Sequence, residues 1–467
     1  MSSISRDSSS DTDSSTTNYG HVDDEPAHLF YRDGALRWGS SKLLDENIIC
    51  VTTQRESSTA HTIFSLAPVD GDALKSPFEL RSTHATLLPR DFLDRHLFKG
   101  LPGYLQPGNE THVLISTLSG TGLAPKFFED VVHPVLLAVG LADSDYNVLR
   151  TESTNSVVDF AKTTLLPAAN EAKKQTVLML SGDGGIVDTI NGLLEDGKRS
   201  STYIRPTLAQ IPLGTGNALF HSLHKPTSSS LPSIYIQGLR TLLHGTPKPL
   251  PLFRATFSPG ARLLTNEART ASPLKSNTLF GAVVASYGLH STLVADSDTT
   301  EYRKHGDKRF GLVANDLLYP EGGAKPHGYL AEVTLVHDGH KETINRTEHG
   351  YLLASLVSNL EKTFTISPNS KPFDRALRIV HFGALSGDDT MDIMKAGYDG
   401  GQHVTRNDVG YESVESIRID FKEPGESWKW RRCCIDGLIV GVEEGGWMEV
   451  SLLGSGEEVV NVVADHD

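Results

Sequence analysis

One carboxylate stands among glycines. Ser181-Gly182-Asp183-Gly184-Gly185 follows five apolar or β-branched residues (176–180, TVLML) and precedes Ile186, Ile190, Leu193 and Leu194 at helical spacing. A strand, a glycine turn and a helix in that order bring bare backbone amides to a helix N-terminus, which suits an anion, usually a phosphate. Asp183 would repel that anion unless it holds a cation or accepts a proton. Two more turns are built alike, Ser119-Gly120-Thr121-Gly122 and Gly214-Thr215-Gly216-Asn217. No lysine follows any of them, so none is a Walker A loop. Three such turns at one sheet edge point to a polyphosphate. Downstream lies a local basic cluster, Arg303, Lys304, Lys308 and Arg309. Arg303 and Arg309 do not share a helical face, but they converge on one anion if the segment bends at Gly306.

The elements that position these residues read as an α/β layer followed by β structure. Strands at 112–115, 146–149, 176–180 and 208–212 alternate with helical patterns, the first over 124–139 and the second carrying Val157, Val158, Phe160 and Ala161. That order implies a parallel sheet with helices on both faces, with ligands beyond the strand C-termini. From residue 250 the chain reads as a run of strands, a mainly antiparallel β-sandwich interrupted by one helix over 298–318. Residues 27–105 read as short strands with a hairpin turn at Asp33-Gly34, either a separate β-rich module or an extension of a later sheet. Residues 1–26 are rich in Ser, Asp and Thr and read as a disordered tail. The expected domains are therefore 1–26, 27–105, 111–245 and 250–456.

Composition narrows the function. The net charge of −15 over 467 residues leaves no basic excess for nucleic acid. Three cysteines form no disulfide framework, which fits a reducing compartment. Cys433 and Cys434 are expected in a strand, on opposite faces. No signal peptide and no membrane-length apolar run is read, so a cytoplasmic protein that reaches membranes peripherally is expected. The 19 histidines show no zinc spacing. His221 and His224 are expected on a surface helix. Nothing indicates an oligomeric state.

Ser181-Gly182-Asp183-Gly184 with Asn191-Gly192 resembles the nucleotide motif of lipid kinases that share the diacylglycerol kinase catalytic domain. Pro212 through Leu219, PLGTGNAL, resembles their second glycine motif, and the Ser-Gly-Asp-Gly form with the Asn-Ala-Leu ending most resembles sphingosine kinases. Tyr302-Arg303, Gly306, Arg309-Phe310 and Asp436-Gly437 continue the resemblance. It implies a two-domain enzyme with Mg-ATP in a cleft and a lipid substrate in the β-sandwich. It further implies that Asp183 is the general base toward a lipid hydroxyl or an organiser of Mg2+. Ser119, Gly120, Thr151, Ser181, Gly182, Gly184, Gly185, Gly214, Thr215, Gly216, Asn217 and Asp436 would line the nucleotide. Arg303 and Arg309 would clamp its phosphates and give Asp183 cationic partners.

The pattern departs from the family at named positions. Ser116-Thr117 replace Asn-Pro, Gly185 follows Gly-Asp-Gly, Asp188 replaces a glutamate, and Leu438 replaces the glutamate of a late Asp-Gly-Glu. Near the residues that hold the substrate amine in sphingosine kinases, the acids here are Asp296 and Asp298. A sphingoid base, ceramide and diacylglycerol therefore remain open as acceptors. The alternatives are a catalytically weak or inactive regulatory relative that binds nucleotide or lipid, and an NAD kinase-like enzyme.

Overall fold

The computed structural model describes residues 17–55, 57–68, 78–117, 120, 122–195, 198–224, 233–425 and 428–465. They fall into two compact units, one gathering the chain up to Leu101 with 129–141 and 227–243, the other holding the remainder.

The first unit holds a seven-stranded antiparallel sheet that, among the described residues, pairs with no other strand. Its spatial order is Ser41–Leu44, Ala35–Trp38, Glu25–Arg32, Thr17–Val22, Phe78–Thr86, Ala60–Pro68 and Ile48–Thr53. Asp33 (φ 50°) and Gly34 (φ 67°) form the expected two-residue hairpin turn, which needs positive φ at both positions. Leu29, Leu36, Val51, Ile63 and Phe92 of the helix Arg90–His96 make the core. The reading of these strands as an extension of a later sheet is thereby replaced by a separate sheet. The tail reading is also corrected at its end, because Thr17–Val22 is a strand paired with Glu25–Arg32. Gly20 and Val22 are buried and Tyr19 and His21 exposed, so alternation takes over where the Ser/Asp run stops. Residues 1–16 lie outside the described residues.

The second unit holds a six-stranded sheet ordered Thr246–Pro249, Asn461–Ala464, Thr207–Pro212, Gln175–Ser181, Glu110–Ile115 and Tyr146–Arg150. All neighbours are parallel except the first pair. Gln175–Ser181 and Thr207–Pro212 are buried along their whole length, as strands covered on both faces must be. The chain steps from Glu110–Ile115 outward to Tyr146–Arg150, then returns to the opposite side for Gln175–Ser181. The winding direction reverses between those two strands, and the resulting crevice beyond their C-termini is where such sheets bind ligands. Asn461–Ala464 lies beyond the expected end of the β region at 456 and belongs to this sheet instead. Its β-branched residues sit next to Thr207–Pro212, where two faces need covering.

The remaining strands form a fourteen-stranded antiparallel sheet whose core includes Phe253, Phe257, Tyr287, Leu352, Phe421 and Val450. Cys433 and Cys434 lie in its strand Arg432–Ile435, both buried and free. The helix expected over 298–318 is broken into Thr300–Arg303, a turn at Gly306–Lys308 and Arg309–Leu318, and Leu289–Ser297 precedes it. Among the described residues no helix is long and apolar enough to cross a membrane.

Candidate active site

The glycine turns meet backbone to backbone. A Cβ on Gly214 would lie 2.4 Å from the Gly182 Cα, and one on Gly120 (φ 59°) would lie 2.3 Å from the Leu213 carbonyl oxygen. These glycines are therefore needed so that three loops can share one edge. Gly184 differs, because a Cβ there meets open space. Like those of Gly122 in the first turn, its surroundings leave room for a ligand. Gly185 sits against Ser181, whose Oγ donates to the Gly182 carbonyl at 2.9 Å. Asn217 takes the left-handed conformation (φ 53°) and braces the second motif: its Oδ1 accepts from Gly214 N at 3.1 Å and its Nδ2 donates to Gly214 O at 2.9 Å. Thr215 and Gly216 are half-buried at that turn. Thr151 is tied to the first turn, accepting from Thr117 N at 2.9 Å while Thr117 Oγ1 donates to its carbonyl at 2.6 Å. Ser119, expected among the nucleotide-lining residues, lies outside the described residues.

Asp183 opens the helix Asp183–Leu194 and reaches across to the second glycine motif. Its Oδ2 accepts from Ala218 N at 2.6 Å and its Oδ1 from Leu219 N at 3.1 Å. Burial pushes its carboxyl above the usual range, and these amides oppose that shift. The buried side-chain amide of Gln210 lies close enough to favour the carboxylate, yet among the described residues both its polar atoms lack a hydrogen-bond partner. The sequence signal was a polar residue interrupting a buried strand.

Asp436 (φ 47°) and Gly437 (φ 94°) make a two-residue hairpin turn between Arg432–Ile435 and Leu438–Gly441. The Asp436 carboxylate accepts from Ala282 N and Val284 N at 2.6 Å each, and from Val283 N at 3.1 Å. Burial pushes it up to about 7, and the charge of Asp183 adds to the rise, so the two carboxylates lie within electrostatic reach. Asp188 is also pushed up to about 7 by burial, and among the described residues it has no hydrogen-bond or ion-pair partner.

Asn191 and Gly192 have packing roles. Asn191 Oδ1 accepts from Phe280 N at 3.0 Å and its Nδ2 donates to Phe280 O at 2.8 Å, which ties the helix of Asp183 to the β region. A Cβ on Gly192 would lie 2.8 Å from the Val158 carbonyl oxygen. His221 and His224, expected on a surface helix, are buried instead. The helix Ala218–Leu223 packs inward through Leu219, and the His224 ring stacks on Phe220 at 3.9 Å.

Arg303 and Arg309 do converge on one anion, and the bend at Gly306 (φ 56°) is present. The anion is Asp298. Arg303 Nε and Nη2 meet its two oxygens at 3.0 and 2.6 Å, and Arg309 Nη1 lies 3.7 Å away. The expectation that Asp183 has cationic partners in these arginines is corrected: its carboxylate is held by backbone amides. The other nearby acid, Asp296, is paired with Arg432 at 2.8 Å.

Among the described residues no three His, Cys, Asp or Glu side chains converge on a metal position. Mg2+ is commonly held by one or two carboxylates together with substrate phosphates, and the hard oxygens of Asp183 and Asp188 suit it chemically. The β region has an apolar crevice of about 30 Å³ lined by Leu289, Leu318, Tyr329, Leu385 and Trp430.

Residues 110–254 match the family described as the diacylglycerol kinase catalytic domain. Sphingosine kinase 1 of Homo sapiens is 28% identical over 201 residues, 43% of this chain and 46% of that protein. Sphingosine kinase 1 of Arabidopsis thaliana is 24% identical over 200 residues, 43% of this chain and 35% of that protein. The matches thus span less than half the length of these relatives. Two solved structures of a diacylglycerol kinase from Bacillus anthracis str. Sterne cover 77% of this chain and 98% of their own at 16% identity, with TM-scores of 0.49 and 0.50. At that identity the second match shows a shared fold and nothing finer. Residues 110–254 thus match the diacylglycerol kinase catalytic domain, and over less than half of its length the chain resembles sphingosine kinases at low identity.

Proposed function

We propose that this chain transfers the γ-phosphoryl group of ATP to a hydroxyl of a sphingoid or glycerolipid. The observation that carries this reading is the contact of Gly120, Gly182 and Gly214 at the switch point of the parallel sheet, with Asp183 at the same edge. Phosphoryl transfer needs in-line positioning and neutralisation of charge more than a covalent group. The bare amides around Gly184 would take the phosphates, and Arg303 and Arg309 would neutralise them. Asp183 or Asp188 would hold Mg2+, which when bound would supply charge neutralisation. Asp183 would accept the hydroxyl proton late, as oxygen bonds to phosphorus, because an alcohol is far less acidic than a carboxyl. Its raised carboxyl pKa moves it in the direction a base needs. The apolar crevice beside Leu289 and Trp430 is the starting point of a lipid path, and it must widen to admit an acyl chain. Such a substrate would be met at a membrane surface from the cytoplasmic side.

Full-length protein with labelled ATP and vesicles carrying sphingosine, ceramide or diacylglycerol should yield one phosphorylated lipid. Asp183→Asn should remove that product while the chain stays folded by circular dichroism. A second reading, a nucleotide-binding regulator without turnover, is favoured by Leu438 at a position the family usually gives to a carboxylate. ATP binding without product from any of the three lipids would select it.

A further inference from the structure

We propose that Asp298 is a positioning residue that occupies the phosphate sites of Arg303 and Arg309 until a nucleotide displaces it. The inference rests on the kinase reading above, in which those arginines serve phosphates. Two guanidiniums from different short helices meet on one carboxylate across a bend made by a left-handed glycine. This arrangement would serve equally well for one phosphate. Arg303 contacts Asp298 in the two-bond, fork-like manner with which guanidinium recognises both carboxylate and phosphate. Glu267, the other acid close to Arg303, is engaged elsewhere: it accepts from Thr300 N at 2.7 Å and pairs with Arg269 at 2.6 Å. Asp298 is thus the carboxylate in direct contact with both arginines.

Exposure sets how readily the carboxylate can leave. The side chains of Arg303 and Asp298 are 59% and 54% exposed, whereas Arg309 is 17% exposed. An exposed pair of this kind is worth little in water. A polyphosphate carrying several negative charges, held also by the glycine-turn amides, outcompetes a single carboxylate that water can take over. The contact keeps the arginines spaced for an anion in the unloaded chain, and it lowers nucleotide affinity by the work of displacing Asp298. A contact that only ties two helices together would have the opposite effect, since breaking it would disorder the arginines and weaken binding.

The test is ATP binding by calorimetry on the full chain, without lipid, at low and high salt. Asp298→Asn should bind ATP about two- to five-fold more tightly at low salt, the range an exposed ion pair spans, and the gain should shrink as salt rises. Asp298→Glu should behave as the unmodified protein. In an Arg303→Ala background the gain from Asp298→Asn should fall toward none, which a general loosening of the segment would not produce. Equal or weaker ATP binding by Asp298→Asn, with an unchanged thermal transition, overturns the exchange and leaves the kinase reading standing. If Asp298→Asn unfolds, Asp298→Ser is measured against the same expectation. Failure of the unmodified chain to bind ATP at all overturns both readings.

Discussion

Two kinds of carboxylate stand among the candidate residues, and they are held in opposite ways. Asp183 and Asp436 are enclosed and held by backbone amides, two for Asp183 and three for Asp436. Asp298 is exposed and held by side-chain cations. An amide belongs to the frame and cannot follow a ligand, so the first two carboxylates are fixed before any ligand arrives. A guanidinium on a long stem can turn from one anion to another. The frame therefore supplies preorganisation, while the segment from Asp298 to Arg309 supplies exchange.

The largest effect expected on this contrast is at Asp183. Asp183→Asn keeps the shape and one of the two amide acceptors but loses the base, and lipid phosphorylation should fall about 10²–10⁴-fold in kcat, read by single-turnover assay. Activity within about ten-fold of the unmodified chain would assign the carboxylate to structure alone. Next comes Gly214→Ala, where backbone meets backbone and no side chain can yield. It should cost about 1–3 kcal/mol in denaturant unfolding, whereas Gly184→Ala, with open space around it, should leave stability unchanged and impair only nucleotide binding. Equal losses for both would break the distinction between a packing glycine and a ligand-facing one.

Asp188 gives a pH test. Its carboxyl is raised in the folded state to about 7. The folded chain then binds more protons than the unfolded chain between about pH 4 and 7, so stability from this group declines as pH rises through that window and is level above it. Asp188→Asn should raise stability by about 1–2 kcal/mol at pH 8 and by almost nothing below pH 4, followed by thermal unfolding across pH. A gain that is independent of pH would show that the carboxylate is not desolvated. The smallest effect is the tightening of ATP binding expected for Asp298→Asn. A weakening there would erase the difference between the two kinds of carboxylate.

The parallel layer was legible because buried strands and glycine turns are written in residue type and period. Gly182 and Gly214 read correctly as turn residues, but their mutual contact depends on two loops far apart in sequence. The Asp-Gly pair at 436 and 437 carries a hairpin signature, while the three amides it grips come from another strand and leave no trace near it. Composition misled at Thr17–Val22, since a Ser/Asp-rich approach hid a six-residue strand. His221 and His224 misled for a similar reason: polar type suggested exposure, whereas the helix needed fillers against Phe220 and the core. The partner of the two arginines was in plain view as Asp298, but only a bend at Gly306 brings the three together.

The placement of Asn461–Ala464 has a consequence for how the protein is made. That strand lies between Thr207–Pro212 and Thr246–Pro249, so the sheet carrying every glycine motif has a gap until residues 461–464 have left the ribosome. At ordinary elongation rates this wait is on the order of tens of seconds. During that time two strand edges stand open to other chains, a recognised route to aggregation. A fragment that stops before Asn461 keeps all the signature residues but leaves that gap permanent, so nascent-chain quality control has a specific feature to detect.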